Sequence, residues 1–130
     1  MPLNDRDCAY RYSLARDDEK SARNLAREGG PSDIAAFHFH QAVEKTLKGA
    51  IAEKGGDIPR IHDLERLFKT VERSGFEFKP GDFDSVAPIQ SYYSDLRYPR
   101  GERLGQQDLE RIIIAYETLG FLRESGELSG

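Results

Sequence analysis

Apolar residues recur along the chain at steps of three and four, and no stretch alternates between apolar and polar residues for long enough to predict a strand. The pattern therefore predicts an all-α protein folded as a single compact bundle. Stretches that contain glycine and proline separate the periodic segments. We predict about five helices, at about residues 7–28, 32–54, 62–74, 85–96 and 107–124.

Helix-breaking and capping residues set the predicted ends of these helices. Gly29, Gly30 and Pro31 are expected to end the first helix. Ser32 has the side chain of an N-cap and is predicted to start the second. Pro88 is compatible with the fourth helix only if it lies in the first turn, where its missing N–H would be unpaired in any case.

The second predicted helix is apolar on more than one side. Its apolar residues spread beyond a single stripe and include Phe37, Phe39, Val43, Leu47, Ala50 and Ile51. A helix with so wide an apolar surface is typical of the centre of a bundle, where several neighbours cover it. We therefore predict that this helix packs against several others.

The last predicted helix also carries more apolar surface than one inward face needs. Its inward stripe consists of Leu109, Ile112, Ile113, Tyr116 and Leu119. Ile114 and Phe121 fall off this stripe, and pairing with a second copy would cover them. The sequence therefore predicts a homodimer, which light scattering would test.

Composition and charge narrow the class of protein. The chain has 130 residues, 19 Lys plus Arg against 23 Asp plus Glu, and a net charge of −4. This length predicts one domain over residues 1–130. No apolar stretch approaches the roughly 20 residues of a membrane-spanning helix, so no membrane partner is expected. An acidic pI near 5.4 argues against a general nucleic-acid coat but leaves room for a local basic patch.

Cysteine content and the first residues suggest the compartment. Cys8 is the only cysteine, which excludes an internal disulfide and a cysteine-rich metal site. The first residues lack the apolar core of a signal peptide. We therefore expect a cytoplasmic protein.

The three histidines do not predict a metal site. His38 and His40 lie two positions apart in a predicted helix, so their side chains point about 200° apart and cannot share an ion. His62 stands at a predicted helix start with Glu65 three residues later, a spacing typical of a capping arrangement. We predict a cap or a hydrogen-bonded turn for His62, and no metal or cofactor.

Asp18 lies between Ala15 and Ala22 on the apolar side of the first predicted helix. Burying an unpaired carboxylate there would cost several kcal/mol, so the pattern predicts a cationic partner. Lys45 and Arg97 are the two candidates. The alternative is that the helix turns Asp18 to the edge of the interface.

A polar stripe follows one side of the second helix and includes His38, Gln41, Lys45 and Lys48. One interpretation is a solvated face with an ion pair between Glu44 and Lys48. The other is that Lys45 or Lys48 presents positive charge to an anion.

The highest density of positive charge lies in residues 97–103, where three arginines face one acid. Arginine binds phosphate bidentately, and the adjacent Tyr98 offers a face for a base. Arg97 and Arg100 are therefore the best candidates for contacting a nucleotide phosphate, with Lys45 a weaker third. The alternative is an exposed basic loop paired with acids of the first helix.

Four motifs of the chain, and the order in which they follow one another, resemble those of the HEPN domain family. This family is named for its occurrence in higher eukaryotes and prokaryotes and for nucleotide binding. The resemblance covers about residues 7–124. It is carried by LARDD at 14–18, FHQAVEKTLK at 39–48, IHDLERL at 61–67 and RYP at 97–99.

The resemblance implies a helical bundle that often dimerises. In prokaryotes such a domain is frequently paired, in a toxin–antitoxin-like arrangement, with a small nucleotidyltransferase of the MNT type. Many members are metal-independent ribonucleases in which a catalytic His follows an Arg after a few residues. Arg97 matches the first position, but residues 102–104 are Glu, Arg and Leu, and no histidine follows Arg97.

These observations predict a binding module for a nucleotide or a nucleic-acid phosphate that acts with a nucleotidyltransferase partner. Two alternatives stay open. One is a ribonuclease in which His62 approaches Arg97 and replaces the missing histidine as general acid or base. The other is a module that only binds proteins.

Overall fold

The computed structural model describes residues 2–79, 81–96 and 104–119, and within them it has helices and no strand. This confirms the all-α prediction. None of the described helices combines the length and the apolar character that crossing a bilayer requires. The helices are α1 (Pro2–Arg27), α2 (Ser32–Glu53), α3 (Leu64–Arg73), α4 (Asp82–Leu96) and α5 (Gln106–Thr118).

Helix α2 is the centre of the bundle. It packs against α1, α3, α4 and α5, which confirms the central position predicted from its wide apolar surface. The main core forms around it, and its largest fully buried side chains are Phe39, Phe68, Leu47, Ile51, Leu64 and Leu67.

Helices α1 and α2 form an antiparallel pair. Tyr12 lies against Gly49, whereas Asp18, further along α1, lies beside Lys45, which comes earlier in α2. Gly29 closes the α1–α2 turn with φ 73°, a left-handed conformation that glycine adopts without strain. A Cβ at Gly49 would lie 2.7 Å from the Tyr12 ring, so a glycine is needed for this close approach.

The far end of this helix pair has a small core of its own. Cys8 and Tyr12 of α1 pack with Ala52 of α2, and Ile58 covers them from the α2–α3 connection. Cys8 is 8% exposed. This cluster joins the N-terminal part of α1 to the C-terminal part of α2.

The predicted N-terminal ends of α1 and α2 need correction. Helix α1 begins at Pro2 rather than near residue 7. A proline suits a first helical position because the N–H that it lacks would have no partner there. Ser32 is the first helical residue of α2 rather than its cap: the N-cap is Pro31, without a side-chain hydrogen bond.

Helix α4 begins three residues earlier than predicted. The carboxylate of Asp82, which is 1% exposed, accepts a hydrogen bond from the Lys79 N–H at 3.0 Å and so stabilises the first turn. Pro88 consequently lies in the second turn, and the prediction that it lies in the first was wrong. The proline leaves the Asp84 carbonyl without its usual donor, and solvent can replace that donor because Asp84 is exposed.

Helix α5 is shorter than predicted. It ends at Thr118, and Leu119 is extended with φ −72° and ψ 102° while its side chain is buried. The prediction of a helix to residue 124 is therefore wrong at this point, where the sequence continues with a glycine, a poor helix former. Residues 120–124 lie outside the described residues.

Large exposed hydrophobic side chains remain on three of the described helices, and on α1 this is Tyr10, which is 62% exposed. Ile114 of α5 is 67% exposed, and Ile34 and Phe37 of α2 are 44% and 36% exposed. Phe121, the second residue placed off the α5 stripe, lies outside the described residues. The homodimer stays a prediction.

Candidate functional site

The histidines at positions 38 and 40 point to different neighbours of α2. His38 Nδ1 lies 2.9 Å from Asp18 Oδ1 on α1. His40 is fully buried, and its Nε2 lies 3.3 Å from Gln90 Oε1 on α4. The two rings therefore cannot share an ion, and the described residues contain no His, Cys, Asp and Glu group suited to holding a metal.

Asp18 has a cationic partner in the structure. Its Oδ2 lies 2.6 Å from Lys45 Nζ, and its Oδ1 accepts from His38, so both oxygens are used. The Asp18 side chain is 12% exposed. Lys45 was one of two candidate partners; the other, Arg97, lies outside the described residues.

Glu44 joins the middle of α2 to the connection that precedes α3. Its side chain is 7% exposed. Its Oε1 accepts from His62 Nδ1 at 2.9 Å, and its Oε2 accepts from Lys48 Nζ at 3.3 Å. The second contact is the ion pair considered from the sequence, and the first comes from tertiary packing. Glu44 therefore holds one lysine and one histidine on the same side of the bundle.

His62 does not cap α3. The N-cap is Asp63, whose Oδ1 accepts from the Arg66 N–H at 3.2 Å. Asp63 has extended dihedral angles, which aim its carboxylate at the first turn, while His62, one residue earlier, turns toward Glu44. The cap predicted for His62 was wrong: His62 lies in the connection before α3, where its ring is hydrogen-bonded to Glu44.

A pocket of about 340 Å³ opens beside Glu44 and His62. It lies where the α2–α3 connection crosses the end of helices α1 and α2. Its lining residues supply three fixed positive charges, one histidine and an apolar wall, and no carboxylate: Arg11, Lys48, Ile58, Pro59, Arg60 and His62. Glu44, which orients two of them, is not among them. Such a lining suits an anion, and arginine and lysine are common phosphate-binding residues in proteins.

The predicted phosphate contacts and this pocket overlap little. Arg97 and Arg100 lie outside the described residues. Lys45 does not line the pocket; it lies one turn before Lys48 and is held by Asp18. Arg11 and Arg60 were not among the predicted contacts, and no spacing signal points to them, because the fold alone brings residues 11, 48 and 60 together.

His40 is a buried, neutral group whose Nδ1 lies 4.0 Å from Glu44 Oε1. Burial lowers the pKa of His40 to about 4 and outweighs the nearby Glu44 carboxylate, which acts to raise it. Gln90 Oε1 also accepts from the Leu64 N–H at 2.8 Å, so this atom must be the amide oxygen and His40 Nε2 must donate to it. The neutral ring thus links α2, α4 and the first residue of α3.

Comparison with known proteins gives one result. A model of the HEPN domain, described by that name, matches residues 9–120, which is most of the chain. Comparison with curated proteins and with solved structures finds no significant match.

Proposed function

This chain belongs to the HEPN domain family, and from that premise we propose that it is a binding module for the phosphate groups of a nucleotide or a nucleic acid. The family includes nucleotide-binding and ribonuclease modules. The observation that carries the proposal is the pocket lined by Arg11, Lys48 and Arg60 with no carboxylate on its surface. In an acidic protein, a concave surface with three cations marks a place where an anion is favoured.

The cations of this pocket are partly preorganised. Glu44 holds Lys48 and His62, so their positions do not depend on a ligand. An entering phosphate shares these donors with Glu44, while Arg60 supplies an exposed guanidinium fork. Fixing donors before binding lowers the entropy that binding would otherwise lose. A volume of about 340 Å³ lies at the small end of ligand pockets, which suits a phosphate chain better than a whole nucleotide.

The proposal keeps the three residues selected from the sequence. Arg97 and Arg100 belong to a segment outside the described residues, and they are proposed to contact the rest of the ligand. Lys45 is a weaker contact, since an anion must compete with the Asp18 carboxylate 2.6 Å away. Arg11, Lys48 and Arg60 are added to them.

ATP or GTP is expected to bind the purified protein, and Arg60→Gln is expected to weaken that binding about ten-fold or more. A hydrogen bond to a charged group contributes about 1.5–3 kcal/mol, which corresponds to roughly 10- to 100-fold in affinity. Isothermal titration at two salt concentrations measures this, and affinity falls as salt rises because phosphate contacts are screened.

Arg66→Gln is the matched control for this titration, because it makes the same charge change on the exposed surface of α3. If the Arg60 and Arg66 variants bound the nucleotide with equal affinity, this would contradict the proposal that its phosphates bind in the pocket. No binding of either nucleotide at millimolar concentration would contradict the proposal and favour a module that only binds proteins.

A ribonuclease that uses His62 and Arg97 is a second candidate, favoured by one observation. The His62 side chain is 54% exposed and hydrogen-bonded to a carboxylate, an arrangement suited to general acid–base chemistry. The histidine that the family's ribonucleases place after Arg97 is absent. We therefore expect no RNA cleavage in the presence of EDTA. Cleavage that persists there and is lost in both His62→Ala and Arg97→Ala would overturn this expectation.

The proposed protein partners are a second copy of this chain and a separate MNT-type nucleotidyltransferase. Ile34 and Phe37 on α2, and Ile114 on α5, are the exposed apolar side chains that support a protein interface.

A further inference from the structure

A second basic surface lies on α1, away from the pocket. Four cations occupy one narrow edge of this helix at intervals of four, three and four residues: Arg16, Lys20, Arg23 and Arg27. We call this edge the α1 ridge. With 3.6 residues per turn the four side chains fall within about 60° of one another, and the ridge is about 16 Å long. It lines a shallow surface depression of about 440 Å³ together with Glu19 and Asn24.

Acidic side chains neutralise only part of the positive charge of the α1 ridge. Arg23 is paired with Glu19 on α1 and with Glu117 on α5, both at 2.9 Å. Glu19 is further engaged by the Tyr116 hydroxyl at 2.6 Å, so this carboxylate is committed to holding α5 on α1. Lys20 and Arg27 are exposed, and no acidic partner for them lies within the part of the chain that the structure describes.

The ridge and the pocket are different surfaces. Arg11, which lines the pocket, lies about 140° around α1 from Arg16. The side of α1 buried against α2 carries Cys8, Ala15 and Ala22 and lies between them. One mononucleotide therefore cannot contact both surfaces.

We propose that the α1 ridge binds the phosphodiester backbone of a nucleic acid. A nucleic-acid strand carries one negative charge per nucleotide, so a line of four cations about 16 Å long can contact several consecutive phosphates. A single nucleotide is too short to use all four cations. A linear array of charges of one sign therefore suits a polymer with charges at regular intervals better than a compact anion.

The composition of the ridge also predicts how it discriminates. Its described lining residues include no aromatic side chain on which a base could stack. Phosphate contacts position a nucleic acid without reading its bases. The ridge is therefore expected to bind with little sequence preference and with strong salt dependence. This inference shares the phosphate chemistry of the proposed function but uses other residues, so either can fail alone.

The test compares two double variants of the full chain with the unmodified protein. Lys20→Gln with Arg27→Gln removes the two ridge cations that lack acidic partners. Arg66→Gln with Arg111→Gln removes the same charge from exposed positions on α3 and α5. Thermal unfolding is expected to show that both variants fold, since all four side chains are exposed. Each protein is titrated into a labelled 20-nucleotide single-stranded RNA at several salt concentrations, and separately with ATP.

The ridge variant is expected to bind the RNA at least ten-fold more weakly than the control variant. Its plot of log affinity against log salt should be shallower by about 1.4, since each phosphate contact on a single strand contributes about 0.7. Its affinity for ATP should equal that of the control.

Two results would overturn the proposal, and a third would separate it from the proposed function. Equal RNA affinity and equal salt slope in the two variants would remove the ridge as a nucleic-acid surface. Binding of polyglutamate of equal charge with the same affinity and the same loss in the ridge variant would assign the ridge to an acidic protein instead. Loss of ATP binding without loss of RNA binding in Arg60→Gln would leave the ridge intact and locate the nucleotide in the pocket.

Discussion

Phe39→Ala is expected to lower the free energy of unfolding by about 3–5 kcal/mol, the range for large-to-small changes at fully buried aromatic positions. Phe39 is 0% exposed and lies in the main core. Its ring centroid is 5.0 Å from that of Tyr116, and the guanidinium carbon of Arg23 is 6.0 Å from it. The truncation therefore opens a cavity where α1, α2 and α5 meet.

Phe37→Ala is the matched control, because it makes the same chemical change two residues earlier on the same helix. Phe37 is 36% exposed, so the loss there should be within about 1 kcal/mol. Urea denaturation followed by circular dichroism measures both values. Similar losses at the two positions would contradict the described orientation of α2.

Acid is expected to destabilise the protein through His40 by about 3 kcal/mol. Burial lowers the pKa of His40 from 6.5 to about 4, and a ten-fold change in a proton-binding constant corresponds to about 1.4 kcal/mol. Because the folded pKa is the lower one, the unfolded chain binds the extra proton first. Stability is therefore unaffected above about pH 6.5, falls as the pH drops toward 4, and loses no more through this group below that.

The effect of His40 is separated from other titrations by a variant. In His40→Gln the amide nitrogen can still donate to Gln90 but does not titrate. Glu44 and His62 face His40 from α2 and from the α2–α3 connection, and both are present in the variant and in the unmodified protein. The difference in unfolding free energy between variant and unmodified protein should change by about 3 kcal/mol between pH 7 and pH 4. A constant difference over this interval would show that His40 is not buried as a neutral ring.

The arrangement of helices was predictable from the sequence, whereas several of their ends were not. The central place of α2 follows from side chains such as Phe39 and Leu47 on different sides of one helix, since only several neighbours can cover them. The start of α4 depends on a hydrogen bond from the Lys79 N–H to the Asp82 carboxylate. The spacing of apolar residues does not reveal this contact. Pro88 then falls in the second turn, at a position where sequence rules disfavour it.

The candidate site was predictable only where its contacts are local. The Glu44–Lys48 pair follows from a spacing of four on one helix. The contact between Glu44 and His62 depends on how the α2–α3 connection returns across α2, and the same return brings Arg60 to Arg11. Asp18 is an intermediate case. Its position among apolar residues predicted a cationic partner, but only the packing of α1 against α2 shows that this partner is Lys45.

The small core at the end of the α1–α2 pair provides a built-in probe of local opening. Cys8 is the only thiol of the chain, and it is buried there against Tyr12 and Ala52. A reagent that modifies thiols can reach it only when this end of the pair opens, so the modification rate reports the free energy of that opening. Arg11 lies one turn further along α1 and lines the pocket. An anion bound there therefore stabilises the closed form of this end of the helix pair, in which the Cys8 thiol is buried. Occupancy of the pocket thus becomes measurable as slower labelling of the unmodified chain.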